Sequence, residues 1–390
     1  MRIGIAKEIG PNERRVAVTP DSVRQIKAAG HDVAVEAGAG RGAFLEDAAY
    51  QEAGATIVPG PEDLWSASDG VLKIQPPLPS AALGKHEADL LREGATLICM
   101  LRPLSNLDVV KILVRRRVTS FSMDMMPRST RAQRMDALSS MSTVAGYKAV
   151  LLAADTLPRF FPMFVTAAGT IAPSRVLVVG AGVAGLQAIA TARRLGAVVE
   201  AYDVRPAVKE EVESLGATFV GPELSAAEAQ DEQGYARPLT AEQQKKGTEM
   251  LHERTAYADV VITTARVPGL PAPKLLPTNV VERMKPGSVI VDLAADMGGN
   301  CELTQAGSTV VHHDVTIHGP VRLASTIPVH ATQMYSRNIT AFLLHLTKDG
   351  SIQFDSSDEI TTATCVTREG AIIHPGTKAR IEGAATAAAG

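Results

Sequence analysis

Three glycines have the spacing that most clearly suits chemistry. Residues 176–180 read Val-Leu-Val-Val-Gly, an apolar strand pattern, and run directly into Gly180-Ala181-Gly182-Val183-Ala184-Gly185. A Gly-x-Gly-x-x-Gly turn between strand and helix suits a pyrophosphate. The first glycine allows the tight bend, the second lets the backbone approach the phosphates, and the third lets the helix pack close to the strand. The helix read over 186–195, with Val183 and Ala184 entering it, points its positive end at the anion. Taken alone, the spacing would also serve a simple packing turn. The next strand, 197–202, ends in Asp203, about 20 residues beyond the motif, where a carboxylate bonds adenosine ribose hydroxyls. That carboxylate would repel a 2′-phosphate, so the pattern favours NAD(H) over NADP(H). Val204 follows, and Arg205 works against that preference. Thr264, Ala265 and Arg266 follow a further strand at the carboxyl edge of the same sheet, where doubly wound folds bind ligands. A plain strand-to-loop turn is the alternative there.

A second polar constellation lies upstream, in Met126-Pro-Arg128-Ser-Thr-Arg131-Ala-Gln133-Arg-Met-Asp136-Ala-Leu-Ser139. A nicotinamide carboxamide needs both a donor and an acceptor, which Gln133 and Ser139 supply. Arg128 and Asp136 can pair to hold the loop or contact the ribose. Spacing alone leaves a solvated charged loop as the alternative.

These residues need a scaffold, and the sequence supplies its rhythm. Apolar runs at 3–6, 33–36, 71–74, 96–100 and 118–123 alternate with helix-length segments, as in a doubly wound parallel sheet. A helical stretch over 142–157 precedes a second series at 176–180, 198–202, 260–264, 289–293 and 309–312. The expected class is α/β with two doubly wound, Rossmann-like parallel-sheet domains. Between 220 and 245 the pattern lapses into a segment too long for an ordinary connection, which reads as a lid or binding arm. A helical segment with Met334, Tyr335, Ile339 and Phe342 leads to a β-like tail.

Composition sets the limits. The 390 residues carry a net charge of −3, with 45% hydrophobic and 21% charged residues, so nucleic acid is not an expected partner. Three scattered cysteines fit neither a disulfide framework nor a metal cluster. His312 and His313 lack ligand-type neighbours at ligand spacing, so they read as strand or surface histidines and no metal is expected. No run approaches the ~18 apolar residues of a membrane span, so no direct membrane insertion is expected.

The loop at 127–140, the turn Gly180–Gly185, Tyr202-Asp203-Val204-Arg205 and the segment 263–273 occur in one order that resembles the NAD(H)-binding component, domain I, of proton-translocating nicotinamide nucleotide transhydrogenase. The resemblance runs from residue 1 to about 375. It implies direct hydride transfer between NAD(H) on this chain and NADP(H) on a domain III subunit, coupled to proton passage through a membrane domain II subunit. It also implies a homodimer, cytoplasmic and peripheral at the inner membrane through its partners, with domain I as a separate subunit. In that family an Arg-Gln-Asp loop holds the dihydronicotinamide, which maps onto Arg128, Gln133 and Asp136 with Ser139 beside them. A mobile loop closes through a Gly-Tyr pair, matching Gly234 and Tyr235. Three positions depart from the pattern: Gly247 replaces an amide side chain, Arg266 an aliphatic one and Leu270 a lysine. The expected domains are 1–141 with 327–383, and 142–326, followed by a disordered tail at 384–390.

Alanine dehydrogenase resembles the chain over nearly the same length and shares Arg15 and Lys73, which in that family hold a substrate carboxylate and carbonyl. Its acid/base histidine, however, is replaced by Met100, which cannot transfer a proton. Asp296 matches an aspartate of those enzymes. A third alternative is a non-catalytic NAD-binding regulator, for which a nicotinamide-orienting loop has no use.

Overall fold

The computed structural model describes residues 1–222, 240–267 and 269–389. The chain divides into two compact units, Met1–Met141 with Ser325–Gly390, and Ser142–Ala324, so the return to the first unit comes two residues before the expected 327.

Numbering the main-sheet strands in chain order, the first unit contains β1 (Arg2–Ile5), β2 (Asp32–Glu36), β3 (Thr56–Val58), β4 (Gly70–Leu72), β5 (Thr96–Cys99) and β6 (Thr119–Ser122). They are parallel in the order β3-β2-β1-β4-β5-β6, with an antiparallel hairpin, Cys365–Arg368 and Ala371–Ile372, beyond β6. The order reverses between β1 and β4, which opens a crevice at their carboxyl ends.

In the second unit the strands are β7 (Arg175–Val179), β8 (Val198–Tyr202), β9 (Thr218–Val220), β10 (Val260–Thr263), β11 (Val289–Asp292), β12 (Thr309–His312) and β13 (Val315–His318). Their order is β9-β8-β7-β10-β11-β13-β12, all parallel except the β12/β13 hairpin. Successive strand side chains face opposite sides. Accordingly Val176, Val178, Val260, Ile262, Val289 and Val291 enter one core, while Leu177, Val179, Val261 and Ile290 enter the other. Covering both faces explains why these strands read as unbroken apolar runs. The sheets are thus predominantly parallel with antiparallel edges, and the short strands β3, β9 and β13 add to the expected set.

Three expectations change. The helix Ala137–Thr156 is long and apolar enough to cross a membrane by length and composition, although no such run was expected. Its Ala149, Val150 and Ala153 are buried in the second unit's core, which accounts for its apolar character. The irregular segment does not reach 245, because a helix spans Ala241–Tyr257. Thr240 starts it with a capping box, its Oγ1 accepting from Gln243 N while Gln243 Oε1 accepts from Thr240 N. Finally, the helix Pro375–Ala389 carries regular backbone through residues 384–389, where a disordered tail was expected.

Candidate functional site

Strand β7 delivers its last residue, Val179, to the point where the strand order of the second sheet reverses, and the glycine turn begins there. Gly180 has φ +99°, a left-handed conformation that favours glycine, and a Cβ would sit 2.5 Å from Thr264 Oγ1. At Gly185 a Cβ would lie 1.8 Å from the Gly180 carbonyl oxygen, so only glycine lets the helix Val183–Arg194 fold back on the strand. Gly182 differs from both. Its φ is −81°, which any residue adopts, and a Cβ there would meet nothing within 4 Å. The fold itself does not require that glycine, and its open space is a cradle that a side chain would fill. No described side chain caps the helix. An anion can therefore approach its first N–H groups at Val183 and Ala184.

Asp203, at the end of β8, is buried, and its carboxylate is fully engaged. Oδ1 accepts from the Arg205 N and Nε, both at 2.9 Å, while Oδ2 accepts from Ala181 N at 2.7 Å and Arg205 Nη2 at 2.8 Å. A carboxylate has about four acceptor directions. Any ligand hydroxyl approaching this carboxylate would therefore have to compete with the Arg205 fork. The structure thus brings Asp203, Arg205 and the glycine turn together, through Ala181; Val204 lies between the two in sequence.

Thr264 ties β10 to the turn by donating from Oγ1 to Gly180 O at 3.0 Å and from N to Val179 O at 2.8 Å. Ala265 is gripped at both ends of its peptide units by buried Asn300, whose Oδ1 accepts from Ala265 N and whose Nδ2 donates to Ala265 O. Sequence reasoning missed Asn300, since no local pattern marks it. Arg266 turns to Asp296, with Nη2 2.7 Å from Oδ1, and also donates to Leu293 O. The departure at Gly247 has a packing reason: a Cβ there would lie 2.7 Å from Tyr202 Oη. Gly234 and Tyr235 lie outside the described residues.

In the first unit, buried Met126, Ala132 and Met135 pin the polar loop from beneath, and Asn338 Nδ2 donates to Arg134 O at 2.8 Å. Arg128 and Gln133 are exposed on this anchored loop, and Asp136 and Ser139 are half-buried. Asp136 caps the helix Ala137–Thr156, accepting from Ser139 N at 2.8 Å and from Ser139 Oγ at 2.5 Å. The structure therefore pairs Asp136 with Ser139 directly.

Arg15 and Lys73 belong to a buried charge network near the β1/β4 crevice. Lys73 Nζ lies 3.0 Å from Glu87 Oε1 and 3.5 Å from Glu8 Oε2, and Arg15 forks onto Glu13, which also accepts from Gln75 Nε2. Burial disfavours the charge on Lys73, but Glu8 and Glu87 raise its pKa. A cavity of about 460 Å³ beside this network is lined by residues including Lys7, Glu8, Glu13 and Arg15 and by no histidine among the described residues. Met100 is buried, and its N–H donates to Ile74 O, the residue after Lys73.

Burial opposes the charge on Glu13, but hydrogen bonds from Arg15, the arginine's charge and Gln75 hold its pKa down at about 2, below the usual 4.5. A depressed carboxylate stabilises the fold above its unfolded pKa and loses that effect as pH falls through the folded one. Glu13→Gln should therefore lower stability by on the order of 3 kcal/mol at neutral pH, with the deficit vanishing between pH 4.5 and 2. Urea titrations of both proteins across that range measure it; a pH-independent deficit would remove the charge from the explanation. Glu8 runs the other way, since burial raises its pKa, so comparison of the Glu13 pair isolates the effect.

The fold and the turn define a two-unit α/β protein with dinucleotide-type sheets. The chain belongs to the alanine dehydrogenase/PNT family: the family's N-terminal domain matches residues 4–145 and its C-terminal domain residues 149–375. It is 47% identical over 378 residues to an NAD(P) transhydrogenase alpha subunit chain of Rhodospirillum rubrum, covering 96% of this chain and 98% of that one. Alanine dehydrogenase of Mycolicibacterium smegmatis is 29% identical over 380 residues, covering 96% and 95%. Among solved structures, the crystal structure of transhydrogenase from Sinorhizobium meliloti matches with a TM-score of 0.84 at 42% identity, covering 96% of this chain and 100% of that chain.

Proposed function

We propose that this chain is the NAD(H)-binding component of a proton-translocating transhydrogenase. In this reading Gly180, Gly182, Val183, Ala184 and Gly185 hold the pyrophosphate, Asp203, Val204 and Arg205 border the adenosine ribose, and Thr264, Ala265 and Arg266 line the nucleotide. Arg128, Gln133, Asp136 and Ser139 orient the nicotinamide, and Gly234 and Tyr235 close over it. The bound nucleotide supplies or accepts a hydride. The chain's own residues anchor it, fix its ring and exclude water, and none acts as acid or base. A separate subunit holds NADP(H), and a membrane subunit carries the protons. The chain then works in the cytoplasm, at the inner membrane through those partners.

Met100 is the observation that carries this reading over alanine dehydrogenase. A methionine stands beside the Arg15–Lys73 network where the dehydrogenases have their histidine, so an amino-acid substrate would find no imidazole proton carrier there. The greater identity to the transhydrogenase subunit supports the same choice. Homodimerisation is supported by the hairpin Phe164–Thr166 and Gly169–Ile171, which exposes Phe164, Val165 and Ile171 beside exposed Phe160 and Met163.

With an NADP(H)-binding domain III protein present, the purified chain should pass hydride from NADH to an NADP+ analogue, and alone it should pass none. NADH oxidation by the chain alone with pyruvate and ammonium would make it an alanine dehydrogenase instead. Gln133→Ala should lower the transfer rate at saturating NADH by roughly 10- to 100-fold, as expected for lost orientation, while NADH affinity changes less than about threefold, because the phosphate turn carries most of the binding. An unchanged rate would remove Gln133 from the ring site.

A further inference from the structure

The edge hairpin of the second sheet holds a cluster that sequence spacing concealed. Strands β12 and β13 pair with His312 opposite Val315 and are joined by His313 and Asp314, whose φ values are +48° and +57°. Two successive left-handed residues make the tight turn that suits a twisted hairpin. Adjacent strand residues point to opposite faces. Because His313 has already left the strand, its ring instead swings over that of His312, with centroids 4.8 Å apart and planes 29° apart.

Glu282 meets this pair from another element. It ends the short helix Thr278–Val281, its N–H donating to Thr278 O at 3.0 Å. The hairpin is tied to the loop that follows it by Gly287 N donating to Asp314 O at 2.8 Å. Glu282 Oε1 lies 3.0 Å from His312 Nε2 and 3.8 Å from His313 Nε2, and the three potential ligand atoms fall within 4.8 Å of one another.

We propose that Glu282, His312 and His313 form a binding site for one divalent transition-metal ion of the zinc class. Two imidazole nitrogens and a carboxylate oxygen are an ordinary zinc donor set. Tetrahedral bonds of about 2.0–2.1 Å place ligand atoms about 3.3 Å apart, so the present spacings must close by at most about 1.5 Å, through side-chain rotations open to His312, His313 and Glu282, which are 32%, 60% and 37% exposed. Three protein ligands on an open surface leave the fourth position to water or an added ligand. Softer Zn2+, Co2+ and Ni2+ should bind in preference to Mg2+ and Ca2+, which favour all-oxygen sites.

The test uses the full chain stripped of metal. Competition with a chromophoric chelator should show one Zn2+ bound per chain. His312→Ala, His313→Asn and Glu282→Gln should each weaken it at least roughly tenfold. Asparagine is chosen at 313 because it tolerates the left-handed backbone, so the unfolding midpoint of the metal-free variants should not move. In the unaltered chain, Ni2+ should broaden the imidazole protons of His312 and His313 first among its nine histidines. The proposal is overturned if the His312→Ala/His313→Asn double variant binds Zn2+ as tightly as before, or if broadening begins at other histidines.

Discussion

Gly185→Ala should weaken NADH binding at least about 100-fold, a loss of roughly 2.7 kcal/mol, in a fluorescence titration. The new methyl carbon would stand 1.8 Å from Gly180 O and 2.9 Å from Gly180 C. Those are backbone atoms, which cannot rotate away as a side chain does. The helix must lift from β7, and its first N–H groups then move with it. Gly182→Ala separates the ligand's contribution from that of the fold. Nothing lies within 4 Å of the added carbon and the backbone angle is ordinary. The variant should fold and melt as the native chain does, yet bind NADH at least roughly tenfold more weakly, because the methyl occupies the space a close-lying pyrophosphate needs. Native affinity in Gly182→Ala would place the phosphates elsewhere.

Lys73→Met should destabilise the chain by about 3–5 kcal/mol, the usual effect of removing one partner from a buried ion pair. Lys73 is fully buried, and its ammonium is the nearest positive charge to both Glu8 and Glu87. Methionine nearly matches its volume, so little of the loss arises from a cavity. Two buried carboxylates would remain without their shared cation, one of them with an oxygen that accepts no hydrogen bond, Glu8 Oε2. Denaturant unfolding at neutral pH measures the difference, and a change below about 1 kcal/mol would mean that the two acids accommodate the missing charge without strain.

Some features are legible in the sequence because their causes are local. Buried parallel strands must be apolar throughout, so β7, β10 and β11 stand out. Gly185 is a glycine because of a carbonyl five residues before it, and Gly180 because of its own left-handed backbone. The helix at Ala241 also carries a local signal, Thr240 with Gln243, hidden by the polar residues that follow. Other features are not legible because their partners are distant in sequence. Asn300 holds Ala265 from 35 residues away, and nothing around either residue announces the other. Spacing places Asp203 at its strand end, but its engagement by Arg205 depends on a side-chain rotamer that spacing does not encode. Glu282 reaches His312 across 30 residues, which is why the two histidines look isolated in the sequence. The stretch within Ala137–Thr156 reads as a helix, yet its alanines and hydroxyls disguise how apolar it is over its length.

The Asp203–Arg205 pair has a further consequence. An anion and a cation at 2.8 Å, bonded side by side, nearly cancel at a distance, so in the proposed reading the ribose corner exerts little long-range pull on a charged nucleotide. Such a corner sorts nucleotides on contact, by volume and by which hydrogen bonds they are able to replace. Selectivity for one dinucleotide over its phosphorylated counterpart would then be a property of shape at this corner, and enlarging the corner would alter it more than changing the sign of a neighbouring surface residue.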